Sequence, residues 1–149
     1  MNTHRNITNK ALVFFSAVLL LFSCTFSTFT TEPVEYTGDA TALSDSLTDL
    51  LHCENVYAQS VKETTNGQPA SFININIINA KNLPADMETK SKLGKDIAHD
   101  IREIVKDPSA YQFYKVFFIE SKTSGAFTES TSQFFVYSNE DLETFSKPL

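Results

Sequence analysis

Three groups of residues are of the types that do chemistry. The first is "LHCEN", where His52, Cys53 and Glu54 stand side by side. A thiolate next to an imidazole is the pairing of a nucleophile with its base. Adjacent residues at a helix end point in different directions, however. The structural reading is a buried free Cys53 acting as a small hydrophobe, with His52 near a helix C-terminus whose partial negative charge favours it. The second group is Asp96, His99, Asp100 and Glu103, spaced i, i+3, i+4, i+7 on one helical face. His99 and Glu103 form an i, i+4 pair of the kind that ligates metals. The same face lies opposite Ile97 and Ile101, where solvated charges belong, and Lys92 and Lys95 one turn earlier offer ordinary ion pairing. In both groups we expect the structural reading. The third group is Tyr57, Gln59, Asn74 and Asn76, amides between aromatics, which suit contact with a protein or a small polar ligand. Solvent alone, or the C-terminal tail, would also satisfy them. A Gly-rich phosphate loop, CxxC, HExxH and GxSxG are all absent from the sequence. We therefore expect a binding protein rather than an enzyme, with no cofactor.

These residues need elements to hold them. "TALSDSLTDLLHC" repeats Leu43, Leu47, Leu50 and Leu51 at i, i+4, i+7, i+8, which predicts a helix with one apolar stripe and Thr41 as its N-cap. Asn66-Gly67 is a strong hairpin signal, because both residues tolerate positive φ. A two-residue turn there sets the pairing. Val56 faces Ile77, Ala58 faces Ile75 and Ser60 faces Ile73 on one side. On the other, Tyr57 faces Asn76, Gln59 faces Asn74 and Val61 faces Phe72. "DMETKSKLGKDIAHDIREIVKD" predicts a second helix buried through Leu93, Ile97, Ile101, Ile104 and Val105, stopped by Pro108. Gly94 lies at the edge of that stripe. Glycine costs ~1 kcal/mol relative to alanine within a helix, so a close approach to the sheet is the expected compensation. "FYKVFFIESK" and "TSQFFVYSNE" predict two more strands whose register the loop "TSGAFTE" leaves open.

The order is thus αββαββ. It predicts an α+β two-layer sandwich, with a four-stranded, mainly antiparallel sheet and two helices on one face. The other face would be half open and would carry Tyr57, Gln59, Asn74 and Asn76.

The front of the chain is different. "MNTHRNITNK" carries Arg5 and Lys10 and no acid, and Ala11 to Phe22 are twelve residues without a charge. A bilayer-spanning helix needs ~20 apolar residues, so this run is too short to span and suits the h-region of a signal peptide. At "LFSC", Leu21 to Cys24, the chain resembles a bacterial lipoprotein lipobox. Leu21, Ser23 and Cys24 match the pattern; Phe22 departs from it. An uncleaved anchor, an ordinary signal peptide and a Cys24–Cys53 disulfide are the competing readings. The resemblance implies diacylglycerol on Cys24, cleavage before it, acylation (palmitate) of the new amino terminus and anchoring in the membrane. Thr25, where an Asp would retain the protein at the inner membrane, implies the outer membrane facing the periplasm.

The expected organisation is a signal peptide over 1–23, a lipidated Cys and flexible tether over 24–40, and one domain over 41–149. Phe26 and Phe29 in the tether either insert near the membrane interface or are loosely ordered. The mature chain holds all 18 acids against ten Lys and Arg, a formal charge of about −8. Such a surface repels polyanions, which excludes nucleic acid as a partner. The expectation is a small lipid-anchored envelope protein acting as a binding module. The alternatives are a periplasmic enzyme using Cys53 or His99/Glu103, and an accessory subunit of an envelope complex contacting it through an uncovered strand edge at 132–138.

Overall fold

A computed structural model describes residues 27–145. The signal segment and Cys24 lie outside the described residues. The chain forms β1 (Ser27–Pro33), α1 (Ala40–Leu51), β2 (Asn55–Thr65), β3 (Gln68–Ile78), α2 (Met87–Ile104), a 3-10 turn (Pro108–Ala110), β4 (Phe113–Ser124), β5 (Phe127–Ser138) and α3 (Asn139–Glu143). The five strands make one sheet in sequential order, β1-β2-β3-β4-β5.

The β2–β3 hairpin has the register that the Asn66-Gly67 turn dictates: Val56 opposite Ile77, Ala58 opposite Ile75, Tyr57 opposite Asn76, Gln59 opposite Asn74. Asn66 and Gly67 take φ of 52° and 78°, the two positive values that a type I′ turn requires. Ile73, Ile75 and Ile77 are fully buried beneath the helices, together with Val56, Tyr114, Val116 and Phe118. Each such aliphatic side chain stabilises the fold by ~1.5–3 kcal/mol relative to exposure. Leu47 and Leu51 of α1 and Ile97, Ala98 and Ile101 of α2 close this core from above. Both helices therefore lie on one face of the sheet.

The α+β class holds, but the four-stranded, mainly antiparallel sheet does not. The sheet has five strands and is mixed, because β3 and β4 pair in parallel, Phe72 with Phe113 through Ile78 with Ile119. Antiparallel neighbours can be joined by a tight turn, whereas parallel ones need a crossover; α2 supplies it. The fifth strand is β1. It comes from residues assigned to the tether and pairs antiparallel with β2, Ser27 opposite Thr65 through Pro33 opposite Gln59. Beyond it Val34 is buried and Tyr36 bridges to Val105, so the segment leading into α1 is also packed.

Local details differ too. Asp39, not Thr41, caps α1, its Oδ1 accepting from the Ala42 amide at 2.9 Å. The helix starts two residues earlier than a Thr41 cap would set it, and Leu50 falls outside the apolar stripe, 62% exposed. Asp86 caps α2 by accepting from the Thr89 amide. This bond holds its carboxyl below the usual range. The second hairpin closes through a two-residue turn at Gly125-Ala126, with Ser124 opposite Phe127 and Gly125 at φ 61°. Since β3 ends opposite Ile119, the stretch from Glu120 to Thr131 has no third strand beside it and, past the Ser121 amide's bond to Asn79 Oδ1, projects beyond the sheet as a two-stranded arm.

Candidate binding surface

Strand alternation sends every second residue to the face opposite the helices. Across the sheet this produces ladders of side chains. One runs Tyr57, Asn76, Phe117, Phe134; the next runs Gln59, Asn74, Lys115, Val136; a third runs Val61, Phe72, Phe113. The four residues singled out from sequence thus share one face, and two further strands extend it. Lys115, Phe117, Phe134 and Val136 join them through the parallel pairing and the second hairpin, whose registers the sequence left open. Phe113 is brought in by the same pairing.

The face is neither a second core nor an ordinary wet surface. Tyr57, Phe113, Phe134 and Val136 are all exposed, Phe134 by 58%. Phe117 stacks on Phe134 with ring centroids 5.4 Å apart. Lys115 lays its ammonium 3.3 Å above the centre of the Phe72 ring, a cation–π contact worth about 1 kcal/mol. That contact helps to bury Phe72 on a face with no helix over it. In the same ladder, the buried Oδ1 of Asn74 has no hydrogen-bond partner among the described residues. A desolvated carbonyl flanked by exposed aromatics is suited to accept a donor from outside the chain.

At one side the face ends at β5, which has β4 as its single strand neighbour. Residues 130–138, "STSQFFVYS", carry no charge. Natural edge strands are commonly protected by charge, proline or a bulge. Here the outer backbone groups of β5 remain free to pair among the described strands, beside the exposed Phe134 and Val136.

The side chains of the other two candidate groups lie as follows. His52 is the left-handed C-cap of α1, φ 46°, with its side chain in solvent. Cys53 is free, 8% exposed and part of the core cluster. Its amide donates to the Thr48 carbonyl at 3.2 Å. The thiol enters the core while the imidazole leaves it. Glu54 turns away from both and accepts from Asn79 Nδ2 at 2.8 Å. On α2 the expected solvent face is partly roofed by the C-terminal segment. The Phe145 ring meets His99 edge-on, centroids 5.5 Å apart, and receives the Lys95 ammonium 4.7 Å away. The Nδ1 of His99 lies 3.8 Å from Asp100 Oδ1, and Glu103 accepts from Arg102 at 3.3 Å. Among the described residues, no three His, Cys, Asp or Glu side chains converge to hold a metal ion.

A groove of about 430 Å³ separates β1 and β2 from the 3-10 turn on the helix side. Its charged rim is paired internally. Lys62 meets Glu32 and Lys106 meets Glu35, each at 2.8 Å. The Lys106 hydrogen bond, reinforced by its charge, holds the Glu35 carboxyl below the usual range. Among the described residues, no helix is long and apolar enough to cross a membrane. No family model matches the chain, and neither a curated protein nor a solved structure is found similar to it.

Proposed function

We propose that the chain is a lipid-anchored protein of the bacterial envelope, held by acylated Cys24 at the outer membrane, and that its periplasmic head works by binding another protein. The observation that carries the binding half is the open sheet face. It exposes Tyr57, Phe113, Phe134 and Val136 around half-buried amides and is continuous with the uncharged outer edge of β5. Exposed aromatics beside amides, with few charges, are the composition of a protein interface core. A partner strand adding to β5 would bring its side chains alongside Phe134 and Val136, as strand addition does elsewhere. This favours a subunit of an envelope assembly over a carrier of small molecules. Anchoring is supported by the "LFSC" pattern behind the short apolar run. Two or more acyl chains are needed for stable attachment, since each buried CH₂ contributes about 0.8 kcal/mol.

The test uses the protein in its own membrane. Photo-reactive phenylalanine analogues at Phe134 and Tyr57 are expected to give a discrete adduct with another protein, and one at the exposed Glu103 none. The same membranes should lose palmitate label and protein when Cys24→Ser is introduced. Equal adducts from all three positions, or none, would refute the binding face. Unchanged fractionation of Cys24→Ser would refute the anchor.

A further inference from the structure

We infer that the anchored head stands on end, with the start of β1 and the β2–β3 turn seated on the phospholipid headgroups and the β4–β5 arm pointing away from the bilayer. This rests on the lipid-anchor reading of Cys24.

Only Thr25 and Phe26 separate Cys24 from Ser27. Ser27 is already fixed in the ladder opposite Thr65, with the two hydroxyls 2.7 Å apart. Three residue steps of at most ~3.6 Å each span roughly 11 Å. A thioether-linked diacylglycerol at Cys24 would therefore hold this end of the sheet at the membrane surface, with no long leash between them.

The end so held carries no charge. Residues 27–31, "STFTT", and 64–71, "TTNGQPAS", contain no charge in a chain whose mature form carries about −8. The nearest charges are Glu63, half-buried, and the paired Lys62 and Glu32. An anionic leaflet repels acids within a Debye length of ~8 Å, so this end can approach it; the β4–β5 tip is uncharged too, but the short link to Cys24 selects this one. Phe29 is 74% exposed at this end, two residues, or about 7 Å, along β1 from Ser27. With Ser27 and the turn at the surface, the ring lies about 7 Å further out, among the headgroups, the level at which amphipathic aromatic rings collect.

The opposite end is remote. From Gln68 along β3 to the level of Phe113, and then along β4 to Ser124, the sheet and its arm run fifteen residue steps. At ~3.3 Å per step this is about 50 Å. Phe127 crowns that tip, 82% exposed. The open face and the β5 edge then run along the membrane normal, accessible from the side.

The sequence contains no tryptophan, so one introduced indole reports its own position. Phe29→Trp and Phe127→Trp, each in the acylated mature protein, are reconstituted in vesicles of phosphatidylethanolamine and phosphatidylglycerol containing lipids brominated near the headgroup. The indole at position 29 is expected to shift to the blue and lose at least about half its emission, as burial at the interface requires, while that at 127 stays unquenched. Equal quenching at both positions would overturn the upright pose in favour of a head lying flat. Protein that floats with the vesicles but shows no quenching at 29 would overturn it in favour of a head held off the surface, with Phe29 facing a protein. Failure to float, or equal flotation of Cys24→Ser, would overturn the anchor and the pose together.

Discussion

Gly94 is the position where a single methyl group should change sign with its neighbour. An ideal Cβ there would fall 2.6 Å from the Tyr137 hydroxyl oxygen and 3.5 Å from its Cζ. That hydroxyl donates to the Ser91 carbonyl at 2.6 Å, and the Tyr137 ring is buried. Alanine would gain ~1 kcal/mol of helix propensity. It would also force the hydroxyl off its partner, leaving a buried polar group unpaired at about 1–3 kcal/mol, with overpacking of similar size. Gly94→Ala is therefore expected to destabilise the fold by roughly 1–5 kcal/mol net of the propensity gain. Removing the hydroxyl first, as Tyr137→Phe, costs ~1 kcal/mol for the hydrogen bond but clears the space. On that background the new Cβ meets ring carbons at ordinary contact distances, and Gly94→Ala should stabilise by about 1 kcal/mol. The coupling between the two sites is then about 2–6 kcal/mol. Urea unfolding of the mature chain carrying Cys24→Ser, with the four members of the cycle compared at equal slope, measures it. The same effect of Gly94→Ala on both backgrounds would refute this account of the helix–sheet contact.

The buried thiol and the Glu35–Lys106 pair lead to two further outcomes. The Cys53 thiol, packed in the core, should react with a disulfide reagent at least about a hundredfold more slowly in the folded protein than in urea; prompt reaction would return thiol chemistry to consideration. Glu35 has a lowered pKa, so its pairing with Lys106 contributes fully above the ordinary value of 4.5 and is lost as pH falls through the lowered one. Lys106 is raised above 10.5 by the same pair, so on the alkaline side the contribution is lost as pH rises through that raised value. The stability gap between the wild type and Glu35→Gln should accordingly close in acid, and a gap constant from neutral pH downward would count against the pair.

The β2–β3 hairpin was legible because Asn66-Gly67 fixes the turn and the Ile-Asn alternation can face only one way. The stripe at Ile97 and Ile101 was equally plain, since burial repeats with the helical period. β1 was not legible. All seven of its residues are exposed, so no alternation marks it, and what holds it is a backbone ladder that any sequence can make. The parallel β3–β4 pairing was hidden for a related reason. Alternating strands such as β4 carry the same pattern in either direction, and only the length of the connection through α2 argues for a crossover. The sequence therefore marks four residues of the open face as a candidate surface, with Val61 and Phe72 beside them, whereas the three ladders of the folded sheet assemble eleven across four strands. The arm from Glu120 to Thr131 gave no periodic signal because neither of its sides is covered.

The parallel seam has a kinetic consequence. Among the described strands it is the sole link between the two hairpins, and it joins positions as distant as Phe72 and Phe113. Each hairpin can zip locally, but the seam must await the ordering of everything between them, which makes it the slow step. Until then β3 shows one naked border along "SFININII", a segment without charge, proline or glycine, the composition that self-associates most readily. Chaperoning should matter most in that interval, and substitutions that delay α2 should cause precipitation before they measurably lower equilibrium stability.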